Sequence, residues 1–308
     1  MGDQAYHIPV LLMPTVDGLD IVPDGIYVDV TFGGGGHSLE ILKRMTTGRL
    51  IALDQDPRAH ENAPHDDRFT LIHGNFRFLE NFLAASGAPH VDGILADLGV
   101  SSHQFDDADR GFSIRFEGAL DMRMNPTTGM SARDLLNTAS QEDLASMFRR
   151  YGELKSAWRI AENVVKHRSN KPLTTTTDLR NAVEHLANAG QLNKFLAQVF
   201  QAIRIAVNGE LEALEAFLEQ LPRIVKPGGR VSIISYHSLE DRLVKHFFRS
   251  GNFDDKQHKD LFGNIERPFN PINRKAILPN QEEIENNNRA RSARLRIAER
   301  NHGKQTKD

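Results

Sequence analysis

Four consecutive glycines, Gly33 to Gly36, follow an Asp-bearing run of β-branched and aromatic residues and precede His37 and Ser38 in the stretch YVDVTFGGGGHS, residues 27–38. At the end of a strand, such a turn lets a ligand meet bare backbone and aims the next helix N-terminus at it. A turn without a ligand is satisfied by one or two glycines. A phosphate-clamping loop requires G-x-x-x-x-G-K-[ST], and His37 stands where lysine is needed. Asp54, ~20 residues further on, suits both ribose hydroxyls of an adenosine-containing ligand, whether a nicotinamide dinucleotide or S-adenosylmethionine. Asp29 tips the choice, because a carboxylate favours a sulfonium or ammonium and opposes a pyrophosphate.

Two further strand ends point the same way. HGNF places Phe76 at a sheet rim, where its ring could pack on an adenine, and LADLGVSSHQFDD brings Asp97 out at the switch region where open α/β sheets bind ligands.

The elements that must position these groups are legible as apolar runs. Segments 25–32, 48–56, 68–76 and 91–99 read as strands alternating with helix-like stretches, which predicts a parallel sheet covered on both faces. The next such strand, 228–238, follows the turn KPGG after a gap of about 130 residues, where a whole βαβ unit takes ~30. An insert is therefore expected, and its patterning is helical. Leu154, Trp158, Ala161 and Val165 share one helical face and are expected in a core; Leu179, Ala182, Val183 and Leu186 share another, with Thr177 as the expected N-cap. Ser140 and Asp143 have capping-box spacing. The expected division is a core over 1–104, a helical domain over 105–204 serving substrate recognition, and the rest of the core with a basic segment over 205–308. ARSARLRIAE near the end alternates like an edge strand.

Composition narrows the chemistry. With no cysteine, disulfides, thiolate metal sites and thiol nucleophiles are excluded, and the thirteen histidines show no metal-ligand spacing, so no metal is expected. A net charge of −3 confines any nucleic-acid site to a local patch. Residues 265–308 carry ten Lys and Arg against six Asp and Glu, and at strand spacing Arg289 and Arg291 are expected on one face with Arg294 and Arg296 on the other. No apolar run reaches the ~18 residues of a membrane span, and the start lacks signal-peptide and myristoylation patterns, so a cytoplasmic protein is expected.

With HIPVLL, DVTFGGGGHS, ALDQDP, HGNF, DLGVSS, DRGFS, LDMRMNP, ISYHSLEDR and RARSARLR in this order, nearly the whole chain resembles the MraW (RsmH) family. The resemblance implies an α/β fold, a Rossmann-like S-adenosylmethionine-dependent methyltransferase core with an inserted helical domain. It implies methylation of the 4-amino group of a cytosine in the decoding region of small-subunit ribosomal RNA, with the RNA, within an assembled small ribosomal subunit, as partner. Carried over, the cofactor positions fall on Gly35, Gly36, His37, Asp54, Phe76, Asp97 and Gln104. Three departures stand out: Gly34 where relatives often carry a longer residue, Asn288 where proline is common, and Gly209, which inside a helix would cost ~1 kcal/mol.

Methyl transfer to a cytosine amine needs in-line positioning and an acceptor for the amine N–H, for which Asp97 is the catalytic candidate beside neighbouring backbone carbonyls. Ser101, Ser102, Tyr236, His237 and Ser238 lie at adjacent strand ends and could hold the base. DLGVSS replaces the Asp-Pro-Pro-aromatic turn of other amino-methylating enzymes. Two other readings stay open: a nicotinamide-dependent oxidoreductase, and a non-catalytic ribosome-assembly factor with a vestigial cofactor site. A homodimer is left open as well.

Overall fold

A computed structural model describes residues 9–302 except 262, with the side chains of Ser102 and His103 also left aside. The start from which the absence of a signal was read, the first residues of HIPVLL and the last six residues lie outside the described residues. The chain divides into two compact units, one of Met1–Gly99 with Leu211–Asp308, the other of Val100–Glu210.

The first unit is a seven-stranded sheet: β1 Ile26–Asp29, β2 Arg49–Asp54, β3 Phe69–His73, β4 Val91–Asp97, β5 Val225–Ser235, β6 Phe269–Pro271 and β7 Arg294–Arg300. Its order is β3-β2-β1-β4-β5-β7-β6. Strands β1 to β5 are parallel, as their near-continuous apolar runs predict, whereas β7 pairs antiparallel with β5 and β6 antiparallel with β7. The sheet is therefore mixed. ARSARLRIAE is not an edge strand: its strand portion, β7, lies between two others, with short β6 at the rim. Alternation within a segment fixes its faces but not what pairs along its edges. The KPGG turn is taken into β5 as an irregularity, the register passing from Val91 opposite Val225 to Gly93 opposite Arg230.

The helices, in chain order, are α1 Leu12–Gly18, α2 Gly36–Arg44, α3 Leu79–Ala85, α4 Ser102–Asp106, α5 Ala132–Thr138, α6 Gln141–Gly152, α7 Ala157–Asn170, α8 Thr176–Val183, α9 Leu192–Asn208, α10 Glu210–Ile224, α11 Ser238–Ser250 and α12 Gln281–Asn286. One core of the first unit packs Val28, Ile51, Leu53, Ile94 and Ile233 of the sheet with Leu214, Phe217 and Leu221 of α10 and Phe247 and Phe248 of α11. On other residues of the sheet, Tyr27, Leu50 and Leu95 pack with Val16, Ile41 and Leu42 of α1 and α2. Helices on both faces and a switch in direction at β1 and β4 make this a Rossmann-like sheet, whose ligand crevice lies outside the carboxyl ends of those two strands.

The second unit is helical, its core built from α5 to α9 through Leu136, Leu144, Phe148, Ile160, Val164, Leu179, Leu196 and Ile203. Ser140 caps α6 as its spacing predicts, accepting from Asp143 N–H at 3.0 Å. The cap of α8 is Thr175, not Thr177: in a run of four threonines only Thr175 stands three residues before Asp178, whose carboxylate reaches back to the Thr175 N–H at 3.0 Å. Trp158 is not core; it stands 49% exposed in the first turn of α7 while Ala161 is buried. Periodicity assigns a common face, but the face that packs is centred on Ala157, Ile160, Ala161 and Val164, which leaves Trp158 to its side although Leu154 before it is buried. Nor does Gly209 interrupt a helix. It ends α9 with a left-handed φ of 58°, where glycine is the favoured residue. Among the described residues no helix is long and apolar enough to cross a membrane.

Candidate functional site

The turns at the carboxyl ends of β1, β2 and β4 are laced together by side chains that accept from, or donate to, one another's backbone. Gly33 N–H donates to Asp54 Oδ2 at 2.7 Å while Asp54 Oδ1 takes the Asp56 N–H at 2.8 Å, so the glycine turn is tied to β2. Asp97 N–H donates to Thr31 Oγ1 at 2.6 Å, tying the same turn to β4. Asp29, only 1% exposed, accepts from Thr31 N–H at 3.1 Å and from Ser38 Oγ at 2.7 Å, fastening β1 to the first turn of α2.

The glycines are not equivalent. Gly33 and Gly35 have left-handed φ values of 51° and 77°, and a Cβ on Gly35 would lie 2.8 Å from the Phe32 ring. Gly36 is required by packing, since its Cβ would meet Pro9 Cγ at 2.2 Å. Gly34 needs neither, with nothing within 4 Å of an added Cβ; a longer side chain in relatives is compatible with that space.

Electrostatically the rim is strained toward protonation. Burial raises Asp29 to about 6, against the opposing hydrogen bonds of Ser38 and Thr31. Burial also raises Asp54, opposed by the amides of Asp56 and Gly33. Asp97 is pushed up to about 7, first by burial and then by the negative charges of Asp29 and Glu240, although its side chain keeps 23% of its surface. Tyr236 donates its hydroxyl to Asp97 Oδ1 at 2.8 Å, opposing that rise, and its own pKa is driven up by burial and by Asp97. Burial lowers His37 to about 4, leaving a neutral ring at pH 7. The 3.8 Å from His37 Nδ1 to Asp97 Oδ2 is accordingly neither an ion pair nor a hydrogen bond. Its buried Nε2 makes no hydrogen bond among the described residues, an atom that a polar ligand would satisfy.

Gly35, Gly36, His37, Asp54 and Asp97 are thus drawn to one rim of the first unit. Phe76 follows β3, partly buried, with its ring edge-on to Phe217 at 5.4 Å. Gln104 belongs to the other unit, where its Oε1 accepts from Ser101 N–H at 3.1 Å. His237 and Ser238 serve α11: His237 is its N-cap, paired reciprocally with Glu240. Missed from sequence were the Thr31 link and the Tyr236–Asp97 bond, which joins residues 139 apart in the chain. The available signal was that both lie at the ends of neighbouring parallel strands, Asp97 being in register with Ile234.

The tail arginines do not form two faces of one strand. Arg289 and Arg291 lie in a 3-10 turn, Asn288–Ser292, and only Arg294 and Arg296 enter β7. Those two converge on Asp241, Arg296 Nε at 2.7 Å and Arg294 Nη1 at 3.3 Å, and Arg296 is largely buried. The turn arises because Asn287 caps it, accepting from Arg289 N–H at 3.1 Å.

A model of the MraW methylase family matches residues 4–301. Among curated relatives, the "Ribosomal RNA small subunit methyltransferase H" of Parabacteroides distasonis is 53% identical over 300 residues, 97% of this chain and 98% of that one. Its namesakes in Christiangramia forsetii and Flavobacterium johnsoniae are each 55% identical, over 95% and 96% of this chain and 97% and 98% of theirs.

Proposed function

The chain belongs to the MraW methylase family, and from that premise we propose that it methylates the 4-amino group of a cytosine in the decoding region of small-subunit ribosomal RNA, within the assembled subunit. S-adenosyl-L-methionine is the methyl donor. Relatives named as small-subunit rRNA methyltransferases support the RNA substrate; the cytosine and its amine rest on the motif resemblance.

The observation that carries the reading is three carboxyl groups, Asp29, Asp54 and Asp97, all raised around one glycine turn. A bound cation relieves the cost of ionising them, whereas a pyrophosphate would add to it. The residues fit the donor on this count and on the unsatisfied Nε2 of His37.

When bound, the donor supplies an electrophilic methyl group on a sulfonium, whose C–S bond breaks as the new N–C bond forms. Asp54 accepts the Gly33 N–H on Oδ2 and the Asp56 N–H on Oδ1, and the Gln55 amide also bonds to it, so of about four acceptor sites on the carboxylate roughly one is left for a ribose hydroxyl. Gly35 and Gly36 offer backbone without side chains, His37 Nε2 a hydrogen bond, and Phe76 an apolar face for the adenine. Gln104 is assigned to the cofactor on the resemblance alone. With Oδ1 held by Tyr236, Asp97 keeps Oδ2 for the cytosine amine, and the proton lost by nitrogen passes to that oxygen. Without the donor a pKa of about 7 leaves Asp97 about half-ionised at neutral pH, and the positive charge of the bound donor favours the ionised form that can accept a proton.

The test is transfer of label from methyl-tritiated cofactor to purified small subunits, with mass mapping of the product. Label on the N4 of a decoding-region cytosine is expected. Label on another base or on carbon rejects the amine assignment, and binding of subunits without transfer leaves the vestigial assembly factor.

A further inference from the structure

The helical unit carries a second feature that the methyl-transfer chemistry does not use. Trp158, the sole tryptophan of the chain, stands 49% exposed in the first turn of α7, beside a cleft of ≈ 360 Å³ lined also by Glu142, Ala145, Ser146, Arg149 and Arg150. The volume lies at the small end of the ~300–1,000 Å³ of small-molecule pockets, room for a single planar group rather than a helix. An exposed indole carries a large uncovered apolar face, and its N–H makes no hydrogen bond among the described residues.

Basic groups outnumber acidic ones around this cleft: residues 141–168 hold six Lys and Arg against four Asp and Glu, Glu142 of the lining among them, in a chain whose net charge is −3. Arg168 is used internally, its Nη1 on Leu136 O at 2.7 Å. Arg150 lies over the Tyr151 ring at 5.1 Å. Arg149, Lys155 and Arg159 are exposed, and no hydrogen bond or ion pair engages their side chains among the described residues. Placing arginines in the last turn of α6 answers its helix dipole, which accounts for their sign but not for the bare tryptophan beside them.

We propose that this cleft receives an unpaired base of the RNA substrate, stacked on Trp158, with Arg149 and Arg150 on the flanking phosphates. Aromatic faces with interleaved cations are how proteins hold single strands, whose bases are free to leave the stack, whereas a paired helix offers no base face. Glu142 at the cleft suits an exocyclic amine, which a base presents and a phosphate does not. The inference rests on RNA being the substrate, and deepens that reading by placing a contact in the helical unit.

Being the only tryptophan, Trp158 reports on itself. Full-length protein is titrated with a short single-stranded RNA from the decoding region, with a fully paired duplex of that sequence, and with the ribosomal proteins of the subunit stripped of RNA. Binding is followed in parallel by anisotropy of the labelled nucleic acid. Quenching of the indole emission by the single strand, at the concentrations that give half-saturation in anisotropy, is expected, with little response to the duplex. Trp158→Ala weakens single-strand binding roughly 5- to 100-fold, Trp158→Phe restores part of it, and calorimetric affinity for S-adenosylmethionine is unchanged in both. Emission that stays constant while anisotropy shows bound RNA overturns the proposal and leaves the methyltransferase reading intact. Equal quenching by the duplex, or a response to the proteins alone, also overturns it, the last in favour of a protein partner. Protein that neither binds nor methylates the RNA defeats both readings together.

Discussion

The glycine-turn rim of the sheet unit and the Trp158 cleft of the helical unit are built on opposite plans. At the rim, polar groups are buried and bonded inward, and their strain shows as displaced protonation: Asp97 near 7, Asp29 near 6, His37 near 4. In the cleft, charged groups stand in solvent and an apolar ring is left uncovered. A small ion with a fixed shape can be met by preorganised groups in low dielectric, where each charge counts heavily. A flexible polyanion is better met by exposed cations and a stacking face, each contact weak and screened by salt. Substitutions at the rim should therefore act steeply, and those at the cleft shallowly.

The largest effect is expected from Asp97→Asn, which keeps the Tyr236 hydrogen bond but loses the proton acceptor. Single-turnover methylation at saturating cofactor should fall by ~10² to 10⁴ while cofactor binding stays measurable by calorimetry. An unimpaired rate would reduce Asp97 to a cofactor ligand. Next, Asp54→Ala should weaken cofactor binding by ~10- to 100-fold, as charge-assisted bonds of ~1.5–3 kcal/mol are lost. Equal affinity would remove Asp54 from the site.

Within the glycine turn, Gly35→Ala forces a left-handed φ on a residue with a Cβ and should destabilise the fold by ~1–3 kcal/mol in denaturant titration. Gly34→Ala, in open space, should be neutral or stabilise by up to ~1 kcal/mol. If the two behave alike, the turn is not held in this conformation.

At the cleft, Arg149→Ala should weaken RNA binding only a few-fold and lower the slope of log affinity against log salt by ~0.7, the value for one phosphate of a single strand. An unchanged slope would detach Arg149 from the RNA.

The smallest effect concerns stability against pH. Folded Asp97, near 7, holds a proton that the unfolded carboxyl, at 3.8, has released, so its contribution is complete at low pH and is lost as pH rises through about 7. Asn cannot titrate. The melting temperature of Asp97→Asn relative to the parent should thus climb between about pH 4 and 7 and level off above. His37 slopes the other way between about 4 and 6.5 but is common to both proteins. A difference independent of pH would mean that Asp97 is not raised.

Not every part of either region could be read from residue order. The rim positions Gly35, Asp54 and Asp97 were legible because a buried parallel strand announces itself as an apolar run, and where the run stops the next polar residue must face the crevice. Tyr236 was visible as a strand-end residue, but its bond to Asp97 was not, since nothing local in a sequence states which strands are neighbours. Trp158 misled for a related reason: its spacing with Leu154, Ala161 and Val165 is that of a buried stripe, and only the packing shows that the face turned to the core is centred on Ala157, Ile160, Ala161 and Val164, with Trp158 to one side. The arginine run misled because an alternating pattern does not reveal that Asn287 starts a 3-10 turn within it.

What the sequence by itself determined is therefore the kind of the long apolar elements and the chemical character of their strand ends, because apolar period, glycine tolerance and side-chain type are local properties. The tertiary structure decided which ends meet, which carboxyl groups crowd one another into holding protons, and which apolar ring is left bare, because burial and Coulomb interaction depend on distance in space. Asp97 is the clearest case: residue order places it at a rim, but only the fold buries its carboxyl near Asp29 and Glu240 and, against the opposing hydrogen bond of the Tyr236 hydroxyl, brings its pKa to about 7.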